Sequence, residues 1–179
     1  LSVEGGIKTA AKREPGTVIW KYSLGGDGGI RGEAVDFCFA DIPCFVRAAD
    51  MTSPVRFTLD SKADETIENT ARFPGASGAF LIRTNPGRYI LASYPYPRQI
   101  NTQVLLKGPV SVRRDAGKIE ITLLPGKSAI LFVGGIDYPE CVLNAEKAFA
   151  SDLQAALAKT RSFWADFTSK RTDFASVLP

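Results

Sequence analysis

KIEITLLPGKSAILFVGG, residues 118–135, consists of two short apolar runs of β-type composition divided by Pro125-Gly126. The first run follows Asp115-Ala116-Gly117, a strong hairpin signal, and Pro125-Gly126 reads as a second hairpin turn. Neither run is long enough for a helix, so the stretch predicts strand, turn, strand. GKS at Gly126–Ser128 invites a phosphate-loop reading. That motif needs glycine at position 121, where Ile121 stands, and a helix afterwards, where AILFV reads as strand.

The same pattern repeats toward the N-terminus. TQVLLK and PVSVRRD are divided by Gly108, and GAFLIRT and RYILASY by Asn85-Pro86-Gly87. AVDFCFA alternates, with Val35, Phe37 and Phe39 on one face and Asp36 and Cys38 on the other, as a half-buried strand does. In PVRFTLD, Val55, Phe57 and Leu59 share a face while Arg56 and Thr58 face away. CFVRAAD and TVIWKYSL are two more runs of strand composition. GGDGGIRGE reads as a glycine-rich loop, Ser61–Gly78 as polar and irregular, and Leu1–Gly16 as a flexible or edge-strand lead-in. Gly26-x-Gly28 is no dinucleotide loop, because position 31 is Arg31 and no helix follows. Roughly ten or more short strands with Gly, Pro and Asp turns predict a mainly β fold, an antiparallel β-sandwich over residues 1–136. With no helix between the strands, a parallel βαβ fold is disfavoured.

Residues 137–179 break the pattern. In YPECVLNAEKAFASDLQAALAKTRSFWADF (Tyr138–Phe167), Val142, Ala145, Phe149, Leu153, Leu157, Thr160, Trp164 and Phe167 recur in steps of three and four. Asp137 can cap the start, Pro139 suits the first turn and Glu140 the positive end of the dipole. One long C-terminal helix over 139–170 is expected, about 45 Å at 1.5 Å per residue. That exceeds what one sheet face needs, so part of it is expected to pack on something else.

Composition removes several functions. The 179 residues carry a net charge of +3 with Lys and Arg interspersed among Asp and Glu, without the clustered basic face of a nucleic-acid binder. No apolar run approaches the about 20 residues of a membrane-spanning helix. There is no histidine, so a Ser-His-Asp triad, a Cys-His pair and a His general base are all absent. Cys38, Cys44 and Cys141 lack CxxC spacing. Cys38 and Cys44 could pair across a turn in an oxidising compartment, but buried free thiols are the preferred reading. The carboxylates around Asp27–Asp41 and Asp64–Glu68 have no distinguishing spacing for a catalytic pair. No catalytic residue, cofactor or metal site is therefore predicted. Aromatic platforms can stack sugars, and Trp20, Tyr22, Tyr94 and Tyr96 are the candidates for sugar contact, the last two in the extended YPYP segment, with Trp20, Tyr94 and Tyr96 carried forward. The chain begins at Leu1 rather than Met, as expected of a processed or excised piece. The sequence fixes no compartment; an extracytoplasmic one is the working expectation.

LLPGKSAILFVGG (Leu123–Gly135), the alanine-rich helix after it, and Thr160 and Trp164 in KTRSFWADF resemble a known junction. It is that of bacterial (α/α)6-barrel glycoside hydrolases of the glucoamylase and sugar-phosphorylase-like groups. There an N-terminal β-supersandwich is tied to the catalytic barrel by a linker helix carrying T-x-x-x-W near its end. The resemblance is specific over Leu123–Phe167 and architectural elsewhere. It implies a non-catalytic domain that packs on a barrel outside this chain and shapes its cleft. Phe149, Leu153, Leu157, Trp164 and Phe167 would then form the domain-interface helix. The family's two catalytic carboxylates lie in the barrel, and no position here matches them. Two alternatives stand beside it: a stand-alone carbohydrate-binding module, and a structural or interaction domain that forms a homodimer through the helix.

Overall fold

The computed structural model describes residues 7–26, 29–60, 65–69, 73–84, 100–115, 118–135 and 137–170. Among them eleven strands run in chain order as β1 (Ile7–Arg13), β2 (Trp20–Gly26), β3 (Gly29–Cys38), β4 (Cys44–Met51), β5 (Val55–Asp60), β6 (Glu65–Asn69), β7 (Gly78–Thr84), β8 (Ile100–Lys107), β9 (Val110–Asp115), β10 (Lys118–Leu123) and β11 (Gly126–Gly135). Two helices follow, α1 (Tyr138–Ala150) and α2 (Leu153–Ser169). The mainly β, antiparallel architecture is the one expected from the strand pattern. It comprises an eight-stranded sheet, order β1-β2-β3-β4-β11-β8-β7-β6, and a three-stranded sheet, order β5-β10-β9.

The two sheets are related by a fold in the chain. β4, β11 and β8 are neighbours in the large sheet, and their continuations β5, β10 and β9 are neighbours in the small one. The three central strands therefore bend together and fold back as a flap over one face of the large sheet. Each bend carries a proline, Pro54, Pro125 or Pro109, which has no N–H to offer a ladder. At Gly108 the backbone takes φ +83°, and a Cβ there would lie 2.3 Å from the Lys127 carbonyl oxygen. Pro125-Gly126 is thus no hairpin, contrary to the sequence expectation. β10 pairs with β5 and β9, whereas β11 pairs with β4 and β8. β9 and β10, on either side of Asp115-Ala116-Gly117, pair antiparallel with Asp115 opposite Lys118, as a hairpin requires, while residues 116 and 117 lie outside the described residues.

Other segments differ from expectation. The glycine-rich stretch is mostly strand: Gly26 pairs with Gly29, and β2 and β3 continue on either side with one register shift. The segment read as irregular contains β6, an edge strand paired to β7. The lead-in contributes β1, the opposite edge, in agreement with its edge-strand reading. RYILASY and its turn lie outside the described residues.

Two cores result. Under the flap, Phe57, Leu59, Ile119, Ile121 and Leu123 meet Leu24, Met51, Phe80, Val104, Leu106 and Ile130 of the large sheet. On the other face, Phe37, Val46, Leu105, Leu131 and Val133 meet Ala145 and Ala148 of α1 and Leu157 of α2. Each fully buried Ile, Leu or Phe contributes about 1.5–3 kcal/mol of transfer free energy. With both faces covered, β11 buries four consecutive residues, Ser128–Leu131, instead of alternating. For the same reason Asp36 is buried although it faces away from Val35 and Phe37.

The single long helix is instead two. Asp137 caps α1 as expected, its carboxylate accepting the Glu140 N–H at 2.9 Å. At Ser151 the backbone becomes extended, with φ −70° and ψ 143°. Asp152 then starts α2, its carboxylate accepting the Ala155 N–H at 2.8 Å. Ser and Asp in sequence favour such a cap over continuation, because their side chains compete for nearby backbone donors. Lys107 of β8 reinforces the break by donating to the carbonyls of Phe149 and Ser151 at the negative end of α1.

Candidate functional site

α1 belongs to the sandwich: Cys141, Ala145 and Ala148 are fully buried. α2 is attached more sparingly. Its buried residues are Leu157 and Thr160, and the Thr160 hydroxyl donates to the Cys38 carbonyl at 2.8 Å. Charged straps hold the rest. Arg161 donates to both carboxylate oxygens of Glu14, at 2.9 and 2.7 Å, and Lys159 reaches Asp41 at 2.6 Å. The Arg161 hydrogen bond holds the Glu14 carboxyl down at about 2, with Lys21 helping and burial opposing.

Beyond Arg161, α2 carries three aromatic side chains, while Thr168 on its last turn lies beside Gly16 of the β1–β2 turn. Phe163 is 49% exposed and Phe167 58%, while Trp164 is half-buried. The rings pack on one another. Phe163 and Phe167 lie near-parallel with centroids 6.4 Å apart, and Trp164 stands edge-on to both at 5.6 Å. The five residues expected at a domain interface therefore divide. Phe149, Leu153 and Leu157 pack on this chain's own sheet, Phe149 also edge-on to Phe73. Trp164 and Phe167 belong to the aromatic cluster near the end of α2. Phe163, which lies off the periodic stripe read from the sequence, joins them through the continuing rotation of the helix.

Of the sugar-contact candidates, Trp20 lies on β2 and is 39% exposed. Tyr94 and Tyr96 lie outside the described residues. Trp20 is accompanied by Tyr22 two residues on, their rings 12° from parallel with centroids 6.4 Å apart. Behind Tyr22 stands a buried ion pair that the sequence did not single out. Arg47 Nε donates to Asp36 Oδ1 at 2.7 Å, and the guanidinium lies 5.5 Å from the ring centres of both Tyr22 and Phe57. Asp36 holds the Arg47 guanidinium further in its charged form, and burial followed by the Asp36 charge pushes the Tyr22 hydroxyl up. The cross-strand register Asp36↔Arg47 explains the contact, but it can be read only once β3 and β4 are aligned.

The remaining reactive groups are quiescent. All three cysteines are free; Cys44 and Cys141 are buried as expected, whereas Cys38 is exposed. Burial pushes the Cys44 thiol up to about 12 and raises Cys38 and Cys141 too, the reverse of what a thiolate nucleophile needs. Asp36, Glu14 and Asp41 are each engaged by a cation. Among the described residues no group of three His, Cys, Asp or Glu side chains could hold a metal ion, and no helix is long and apolar enough to cross a membrane.

No known protein family matches the sequence, and no curated protein matches it.

Proposed function

We propose that this chain is a non-catalytic β-sandwich module that docks on the catalytic (α/α)6 barrel of a glycoside hydrolase and helps shape its cleft. One observation carries the reading: the apolar stripe that seats α2 on the sheet continues into the Phe163–Trp164–Phe167 cluster. A helix whose first half is buried on the sheet and whose second half exposes Phe163 and Phe167 fits a connector between two bodies. Aromatic residues are the side chains most enriched at the centres of such interfaces. The resemblance of Leu123–Phe167 to the sandwich-to-barrel junction supports the identity of the second body. The absence of histidine and the engagement of Glu14, Asp36 and Asp41 by cations agree with chemistry residing elsewhere. The test is turnover of a panel of α- and β-glucosides, with and without phosphate, by this chain alone. None is expected, and turnover that disappears on changing one carboxylate of this chain would overturn the reading.

A second reading has its own observation. The near-parallel Trp20 and Tyr22 rings on one face of β2 offer the kind of platform on which a pyranose stacks. Calorimetry with oligosaccharides, repeated on Trp20→Ala, separates this carbohydrate-binding module from the docking module, which needs no such affinity. Self-association through α2 is the third reading, and it predicts a sedimentation coefficient that rises with concentration.

A further inference from the structure

On the helix-bearing face of the large sheet, a groove of about 430 Å³ opens between β3, β4 and β11 and the first turn of α2. Ligand pockets commonly span about 300–1,000 Å³. Its floor is one cross-strand row, Val35↔Ala48↔Ala129, and two of those three side chains are single methyl groups. Leu153 forms the wall, so the interior is mostly apolar.

The next row outward is Glu33↔Asp50↔Lys127. Two other charged groups line the groove but are already used: Lys107 donates to the end of α1, and Asp152 caps α2. The side chains of Glu33, Asp50 and Lys127 have no hydrogen bond or ion pair with another described residue. Glu33 and Asp50 thus face each other on adjacent strands as unpaired like charges, an arrangement that costs stability in a sheet. Lys127 neighbours Asp50 alone, so the uncommitted charge at the mouth is negative and concentrated on the β3–β4 side.

We propose that this groove binds a small amphiphilic organic cation, an alkylammonium or alkylguanidinium. Its charged head sits between Glu33 and Asp50, and its aliphatic body lies over Val35, Ala48 and Ala129 against Leu153. The head relieves the carboxylate repulsion, and the body covers the apolar floor. The site is separate from the aromatic end of α2 and does not rest on the barrel-docking reading.

The experiment is a titration of the ¹⁵N-labelled chain with hexylamine, using hexanol and hexanoate as neutral and anionic probes of the same length. Hexylammonium should shift the amides of Ala48, Asp50, Ala129 and Leu153 saturably and bind at least tenfold more tightly than either control. In the double variant Glu33→Gln/Asp50→Asn, whose sites are exposed and whose fold the same spectrum reports, the affinity should fall at least tenfold. In Lys127→Gln it should hold or rise. Equal binding of hexanol, tighter binding of hexanoate, no saturable shift with any probe, undiminished binding by the double variant, or loss of binding in Lys127→Gln would each overturn the proposal.

Discussion

Arg161 and Glu14, 147 residues apart in sequence, close a two-pronged ion pair that ties the middle of α2 to the turn between β1 and β2. Further along α2, Thr168 lies beside Gly16 of the same turn, where an added Cβ would come within 3.5 Å of the Thr168 methyl group.

Glu14→Gln should loosen α2 at neutral pH by about 0.5–1 kcal/mol, small because the Arg161 side chain is partly in water. The folded carboxyl titrates at about 2 against an ordinary 4.5. Its contribution is therefore full above the ordinary carboxylate range and lost as pH falls from about 4.5 toward 2. Urea unfolding at pH 7 and pH 2 checks this: the gap between wild type and Glu14→Gln should close at the lower pH.

Asp36→Ala should be far more damaging than any change at Glu14. It strands the Arg47 guanidinium beneath the flap, and breaking a buried pair in this way costs about 3–5 kcal/mol. Replacing both partners, as Asp36→Leu/Arg47→Met, should recover most of that loss. Chemical denaturation of the two variants tests the difference in sign and size.

Thr160→Val keeps the shape of a buried side chain but removes the hydroxyl that donates to the Cys38 carbonyl. A loss of about 1 kcal/mol is expected, with faster amide exchange confined to α2. A uniform loss of protection through the sheet would contradict the separation of α2 from the sandwich core.

Lys107→Met should destabilise the α1–α2 junction by about 1–2 kcal/mol, since the carbonyls of Phe149 and Ser151 lose a cationic donor and the Phe149 ring loses the ammonium 4.6 Å from its centre. Thermal unfolding followed by circular dichroism reads it directly.

The strands were legible because their faces are: Val55, Phe57 and Leu59 alternate, and they are buried under the flap as the pattern implies. The bend at Pro125-Gly126 was not legible. A turn that reverses a strand and a corner that passes it to another sheet use the same residues, and the pairing partners of β10 and β11 decide between them. Asp152 likewise sits in an unbroken apolar period, and only the cap geometry shows a second helix start. The cysteine thiols and the absence of a histidine-based centre follow from composition. The Asp36–Arg47 pair and the groove depend on register across strands that are distant in sequence, which no local pattern carries. The aromatic end of α2 was half visible: Trp164 and Phe167 lie on the stripe, but exposure is a property of the packed fold.

Hydrogen–deuterium exchange along α2 tests the proposed docking role most directly, compared between this chain alone and the chain in the presence of the proposed (α/α)6 barrel. In the chain alone, the amides near Leu157–Thr160 should be protected and those from Trp164 onward should exchange freely. The latter should become protected when the barrel is present. Uniform protection to the end of α2 in the isolated chain, or exchange past Trp164 that the barrel does not change, would contradict the account.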